Sequence, residues 1–160
     1  MVPLPSLHDL GAARSGREPD ALLIVLDAAL GSGESTVEDV VDAIQALTTS
    51  ENLNTLVVVG DGLLGTDADD ISTAMGGAAA VAAVRSIAVK RGTSSRANAI
   101  CVPAALLGSG GSQRGALPQP TECTDVAEAA LFFLSDANTY LNGQVLFVNG
   151  GRHLFSSLSA

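Results

Sequence analysis

Four short apolar segments recur along the chain at intervals that leave room for a helix between each pair. They are residues 21–26 (ALLIVL), 56–59, 98–102 and 144–148. The first is apolar at every position, as in a strand that is buried on both faces of a sheet. Because helical patterns separate these segments, the sequence predicts a β-α-β-α-β-α-β order and a parallel sheet of four strands.

The first two predicted helices differ in how their apolar residues are arranged. Residues 35–47 place apolar side chains on one face and polar side chains on the other, and Ser35 with Glu38 fits a capping box. Residues 78–91 form the second predicted helix, which is stopped by Gly92, and its apolar side chains lie almost all the way round. We therefore expect the second helix to be buried against the sheet on one side and against a partner on the other.

The third predicted helix is capped by Thr124. Its sheet-facing residues are expected to be Val126, Ala130, Phe133 and Leu134. Two segments lack any periodicity: residues 1–20 carry Pro, Gly and mixed charges, and residues 60–77 are polar and irregular. A chain of 160 residues is expected to form one domain. We therefore divide it into an irregular N-terminal arm, residues 1–20, and a single α/β domain, residues 21–160.

Two stretches of the sequence resemble a known family. Residues 125–151, DVAEAALFFLSDANTYLNGQVLFVNGG, resemble the C-terminal unit of short-chain dehydrogenases/reductases, in which a helix "DVA…FLSSD" leads to "TGQ…VDGG". Residues 80–104, AVAAVRSIAVKRGTSSRANAICVPA, resemble the family's "…LTRSLAVELG…IRVNAVAPG". The stretches follow the family's order, and the interval from the start of one to the end of the other, residues 80–151, is about half the chain. The resemblance implies a truncated Rossmann-like three-layer fold, the family's second half, with about four parallel strands flanked by helices.

The family's catalytic residues have no chemical equivalents in this chain. In active members a Tyr-x-x-x-Lys pair does general acid–base work on a carbonyl or alcohol, and a Ser at a strand end orients the substrate oxygen. By the resemblance, the Tyr position falls near Thr73, the Lys position near Gly77 and the Ser position near Gly60 or Asp61. No Tyr, Lys or His lies between Asp61 and Arg85. We expect a pseudoenzyme-like chain without catalytic residues.

The family's cofactor-binding turn is missing as well. The family binds its dinucleotide at a glycine-rich turn after the first strand, with the pyrophosphate at a helix N-terminus. Here residues 21–29 resemble the family's fourth strand and its "NNAG" turn. Gly31-Ser32-Gly33 is a lone GxG without a third glycine or an acidic residue about 20 positions on, so we interpret it as a loop. We expect this chain to bind no cofactor and a partner subunit to bind NAD or NADP.

The composition excludes several classes of partner. The chain has 47% apolar residues, 16% charged residues and a formal net charge of −9, which opposes binding to nucleic acid or to an anionic membrane. No apolar run is long enough to span a membrane, and no signal-peptide pattern begins the sequence. We therefore expect a cytoplasmic location. Cys101 and Cys123 are expected to be reduced packing residues, not a disulfide or a metal pair.

Two polar segments leave alternatives open. Asp61, Asp67, Asp69 and Asp70 are interpreted as a solvated acidic loop, and the alternative, a metal site, has no EF-hand spacing to support it. Residues 152–155 follow the last strand. In family tetramers this segment packs across a dimer axis and can reach the neighbouring subunit's substrate pocket. The alternative for this chain is an ordinary polar tail.

Without the family's first three strands, strand 21–26 becomes a sheet edge, which is an aggregation hazard unless it is covered. The helix at 78–91 and the C-terminal unit resemble the elements that the family uses for oligomer contacts. The predicted interface residues are Ala78, Val81, Arg85, Phe132, Gln144, Leu146, Val148, Arg152, His153 and Phe155.

Our leading hypothesis is a non-catalytic subunit that assembles with an intact short-chain dehydrogenase/reductase in a hetero-oligomer and supports its oxidoreductase activity. The first alternative is a self-assembling scaffold or binding protein without an enzyme partner. The second alternative is an oxidoreductase of this type whose catalytic residues have been relocated.

Overall fold

The computed structural model describes residues 21–26, 54–61, 71–92, 94–107 and 115–154. The predicted arm at 1–20, the predicted helix at 35–47 and the lone GxG lie outside the described residues, and so does Phe155. The elements in chain order are β1 (Ala21–Leu26), β2 (Asn54–Gly60), α1 (Ile71–Arg91), β3 (Ala97–Val102), α2 (Cys123–Leu134) and β4 (Val145–Phe147), with 3-10 turns at Ala104–Leu107 and Arg152–Leu154. Neither α-helix of these ranges is long and apolar enough to cross a lipid bilayer.

The four strands form one parallel sheet in the order β1-β2-β3-β4. Ala21 lies opposite Asn54, and Ala99 of β3 lies opposite Val145 of β4. The predicted four-stranded parallel sheet is therefore confirmed. Because the strands are parallel, all their carboxyl ends lie along one edge of the sheet, which is the edge where open α/β sheets bind ligands.

The core consists of two apolar layers on opposite faces of the sheet. Alternate residues of a strand point to opposite faces, so Val57 and Val59 pack with α1, whereas Leu56 and Val58 pack with α2. The α1 layer also contains Ala80, Val84, Ile87 and Ala88. The α2 layer contains Phe133, with Val126, Ala130 and Leu134 packed against it. The three-layer architecture and the predicted sheet-facing residues of α2 are confirmed.

Helix α1 begins at Ile71, within the segment that the sequence predicts to be irregular. The prediction missed its first turns because they contain Ser72, Thr73 and two glycines, all of low helix propensity. Helix α2 is capped by Glu122, not by Thr124. The Glu122 N–H donates to Asp125 Oδ2 at 2.8 Å in a capping box, a pairing that begins two residues before the predicted cap.

Buried amide side chains fix the position of β4 against β3. Asn98 of β3 donates from Nδ2 to the Leu141 carbonyl at 2.9 Å and accepts from the Gln144 N–H at 3.0 Å. Asn142 accepts from the Ala97 N–H at 2.9 Å. These bonds set the register of a strand that has only three residues, and they thereby place the residues that follow β4 at the carboxyl edge of the sheet.

Candidate functional site

The candidate site lies at the carboxyl edge of the sheet, where the ends of three strands meet. Asp61 follows β2, Cys101 lies next to the last residue of β3, and Asn149 comes shortly after β4. The Val148 N–H donates to the Cys101 carbonyl at 2.7 Å, which extends the pairing of β4 and holds Asn149 beside the other two residues. All three residues are buried.

Asp61 is the centre of the polar contacts at this edge. Its side chain is 7% exposed, and its Oδ1 accepts from the Ala104 N–H at 3.0 Å. Arg152 Nη1 lies 3.5 Å from the same oxygen, and Asn149 Nδ2 lies 3.5 Å from Oδ2. The interpretation of Asp61 as part of a solvated loop is therefore wrong. Two segments cover Asp61: the 3-10 turn that begins at Ala104 and the residues after β4. The sequence around Asp61 does not show that these distant segments contact it.

The chain reverses direction sharply after β4. Gly150 and Gly151 have φ values of 60° and 78°, a conformation that glycine adopts without the strain of a side chain. Arg152 is thereby directed back toward Asp61. We name residues 149–154, which comprise Asn149, the two glycines and the 3-10 turn Arg152–Leu154, the C-terminal turn.

A second segment holds the C-terminal turn from outside. The Gly150 carbonyl accepts from the N–H groups of Ala116 and Leu117, at 2.6 and 3.1 Å. Gly115 passes so close that a Cβ at this position would collide with the Gly150 carbonyl oxygen. The C-terminal turn therefore lies between residues 115–117 and Asp61 and contacts both.

His153 is oriented by Asn149. Its Nδ1 lies 3.0 Å from Asn149 Oδ1, and its ring stacks on Phe147 with centroids 4.1 Å apart. Asn149 Nδ2 faces a carboxylate, which only accepts hydrogen bonds, so Oδ1 must be the atom that faces the imidazole. His153 Nδ1–H therefore donates a hydrogen bond to Asn149 Oδ1. Asp61, Asn149 and His153 form one hydrogen-bonded series.

Cys101 lacks the properties of a catalytic nucleophile. Burial, together with the negative charge of Asp61, raises the pKa of its thiol to about 12. The reactive form of cysteine is the thiolate, so this thiol is unreactive at neutral pH. Cys123 is exposed at the first residue of α2, so the prediction that it is a packing residue is wrong, whereas Cys101 is buried as predicted.

The positions of the family's Tyr and Lys fall in the first half of α1. Thr73 and Gly77 lie one helical turn apart, which matches the spacing of the Tyr-x-x-x-Lys pair. Gly77 is buried and has no side chain with which to lower a neighbour's pKa. No group of three or more His, Cys, Asp or Glu suited to a metal ion occurs within the described ranges. The site offers a carboxylate, an amide and an imidazole, all engaged with one another.

The predicted interface residues lie on several surfaces. Ala78 and Arg85 are exposed on the outer side of α1, where Val81 is half-buried, and Phe132 is exposed on α2 across the sheet. Along β4 and its flanks, Gln144 and Leu146 are exposed and Val148 is half-buried. Arg152 and His153 are half-buried in the C-terminal turn. Their role in an interface stays a prediction.

The sequence interpretation missed the joint role of Asp61 and Asn149. Two signals pointed to it. Asp61 is the first charged residue after an apolar strand, and the family resemblance places a catalytic Ser near Gly60 or Asp61. Asn149 stands where the family's "VDGG" has an Asp.

Comparison with known proteins identifies the fold. No family model matches the chain, and no curated protein matches it. Among solved structures, a 7α-hydroxysteroid dehydrogenase complexed with NADH and 7-oxo glycochenodeoxycholic acid matches with a TM-score of 0.66 and 21% identity, over 83% of this chain and 63% of that chain. A short-chain type dehydrogenase/reductase from Mycobacterium ulcerans matches with a TM-score of 0.57 and 24% identity, over 77% of this chain and 51% of that chain. Levodione reductase matches with a TM-score of 0.63 and 15% identity, over 83% of this chain and 67% of that chain.

The chain therefore has the fold of the short-chain dehydrogenases/reductases, and the predicted resemblance and fold class are confirmed at this level. It spans between 51% and 67% of the length of these three structures.

Proposed function

We propose that this chain is a non-catalytic subunit with a short-chain dehydrogenase/reductase fold, which assembles in the cytoplasm with an intact enzyme of that fold and supports its oxidoreductase activity. The observation that carries the proposal is the state of Asp61. The family resemblance expects a substrate-orienting Ser near Gly60 or Asp61. The Asp61 carboxylate is 7% exposed and is already in contact with Ala104, Asn149 and Arg152.

Three further features support a non-catalytic role. No Tyr, Lys or His lies between Asp61 and Arg85 to supply a general acid or base. The Cys101 thiol is protonated at neutral pH, which disfavours a relocated nucleophile. His153 is oriented by Asn149 and belongs to the C-terminal turn, not to helix α1, which carries the Tyr and Lys positions.

The exposed apolar side chains support assembly. Leu131 and Phe132 on α2 are 69% and 55% exposed, and Leu146 and Phe147 on β4 are 41% and 36% exposed. Within the described residues, β4 pairs with β3 alone, so its other edge adjoins no described strand. Exposed apolar groups beside a strand edge are typical of a surface that another chain covers.

The cofactor is proposed to belong to the partner. The 7α-hydroxysteroid dehydrogenase that this chain resembles was solved with NADH, and a partner of the same fold would bind NAD or NADP in its own glycine-rich turn. The alternative is that a second copy of this chain covers the exposed side chains of β4, Leu146 and Phe147, because these apolar groups also suit a symmetric contact.

Affinity purification from the native cells tests the assembly. We expect the tagged chain to recover a full-length short-chain dehydrogenase/reductase in a fixed ratio, and we expect Leu146→Lys to abolish this recovery. Tyr140→Lys is the matched control, because Tyr140 is 97% exposed and lies outside the predicted interface set. Recovery of this chain alone, as a monomer or as a homo-oligomer, contradicts the proposal.

A further inference from the structure

The C-terminal turn is held from two sides by contacts of different kinds. On the outer side, neutral backbone hydrogen bonds join the Gly150 carbonyl to Ala116 and Leu117. On the inner side, the contacts are charged: Arg152 approaches Asp61 Oδ1 to 3.5 Å and Asn149 approaches Oδ2 to 3.5 Å. The inner contacts therefore involve the charge of Asp61, whereas the outer contacts involve only backbone groups.

The burial of Asp61 and the closure of the C-terminal turn depend on each other. A carboxylate is tolerated in a protein interior only when charges or hydrogen-bond donors compensate it. Asp61 has three such groups among the described residues. One of them, the Ala104 N–H, follows β3 directly, and the other two, on Asn149 and Arg152, belong to the turn. Opening the turn therefore removes two of the three compensating groups and lets water replace them.

We propose that the C-terminal turn is a strap that the Asp61 carboxylate holds closed over the carboxyl edge of β2 and β3. The turn covers the edge at which open α/β sheets bind their ligands, so its closure limits access to that edge. Arg152, whose side chain is 29% exposed, is the solvent-side end of this contact, and it is the group whose loss opens the turn. The isolated chain carries every residue involved, so the inference does not depend on the partner proposed above.

Hydrogen exchange of the isolated chain, followed amide by amide, tests this inference. The Leu154 N–H donates to the Gly151 carbonyl at 3.0 Å and reports closure of the turn. The Ala99 N–H donates to the Gln144 carbonyl at 2.8 Å and reports the β3–β4 pairing. In Arg152→Gln, exchange at Leu154 should be about tenfold faster, because a charged contact is lost, while exchange at Ala99 stays unchanged.

A double variant separates the charge from the shape of the site. Arg152→Gln alone leaves Asp61 buried with part of its compensation removed, whereas Asp61→Asn combined with Arg152→Gln removes the charge and keeps an oxygen for the Ala104 N–H. We expect the double variant to return Leu154 exchange to within about threefold of the unchanged chain, since the two positions are directly coupled. Asp136→Asn, which neutralises an exposed carboxylate, should leave both amides unchanged. Unchanged Leu154 exchange in Arg152→Gln, an equal rise at Ala99, or no recovery in the double variant would overturn the proposal.

Discussion

Alanine substitutions at four glycines measure how tightly the C-terminal turn is built. Gly150 and Gly151 have positive φ values, whereas Gly92 and Gly115 do not. The space around each glycine also differs. A Cβ at Gly150 would lie 3.7 Å from Leu117 Cβ, which is an ordinary contact, and a Cβ at Gly151 would lie 3.1 Å from Ala116 Cβ, which is tight. A Cβ at Gly115 would collide with the Gly150 backbone.

These geometries predict a ranked series of free energies of unfolding. A left-handed conformation costs a residue other than glycine about 1–2 kcal/mol, so Gly150→Ala should destabilise the chain by about that amount. Gly151→Ala adds a tight contact and should cost about 2–3 kcal/mol. Gly115→Ala forces two backbone segments apart, an overpacking that costs about 3 kcal/mol. Gly92→Ala has 3.5 Å to its nearest neighbour and should be neutral or should stabilise by about 0.5 kcal/mol.

Urea unfolding of the four variants, followed by circular dichroism, checks the series. The midpoints should fall in the order Gly92→Ala, Gly150→Ala, Gly151→Ala and Gly115→Ala, with unchanged slopes. Gly92→Ala is the control, since it makes the same chemical change after a helix end. If Gly150→Ala and Gly151→Ala unfold at the same urea concentration as Gly92→Ala, the C-terminal turn does not have the conformation on which this reasoning rests.

Three further predictions concern reactivity, cofactor and assembly. At pH 8 an alkylating reagent should modify Cys123 fast and Cys101 only through opening of the structure. Burial raises the Cys101 pKa from 9.0 to about 12, so the folded state binds this proton more tightly than the unfolded chain does. The free energy of unfolding should therefore fall as the pH rises above 9, and this pH dependence should be absent in Cys101→Ala. Calorimetric titration should detect no binding of NAD or NADP, and one-to-one micromolar binding would refute this. Sedimentation at low micromolar concentration should show no monodisperse monomer, because Leu131, Phe132 and Leu146 are exposed; a single monomeric species would refute it.

The strands and the fold were predictable because their signals are local. The apolar segment 21–26 predicts β1 with its observed limits, and residues 98–102 predict β3 within one residue. Helix α2 was recognisable from the spacing of its apolar face. The first turns of α1 were not, because Ser72, Thr73 and the adjacent glycines favour irregular structure and the helix there is not specified by local propensity.

The candidate site was harder to predict because it depends on contacts between distant residues. The Asp61–Arg152 contact joins a residue that follows β2 to one in the C-terminal turn after β4. In the sheet β3 lies between these two strands, and no local sequence pattern encodes such a pair. The nearby Asp67, Asp69 and Asp70 favour a solvated loop at Asp61 when only the sequence is considered. The burial of Asp61 follows from the course of residues 104–107 and of the C-terminal turn. Gly150 and Gly151 permit the reversal that makes this contact.

Native mass spectrometry of the complex purified from its own cells tests the central claim most directly, because it reports subunits and cofactors together. The proposal predicts one species that contains this chain and a full-length short-chain dehydrogenase/reductase, with as many NAD or NADP molecules as there are full-length subunits and none in addition. A species built from this chain alone, or one further cofactor for every copy of this chain, would contradict it.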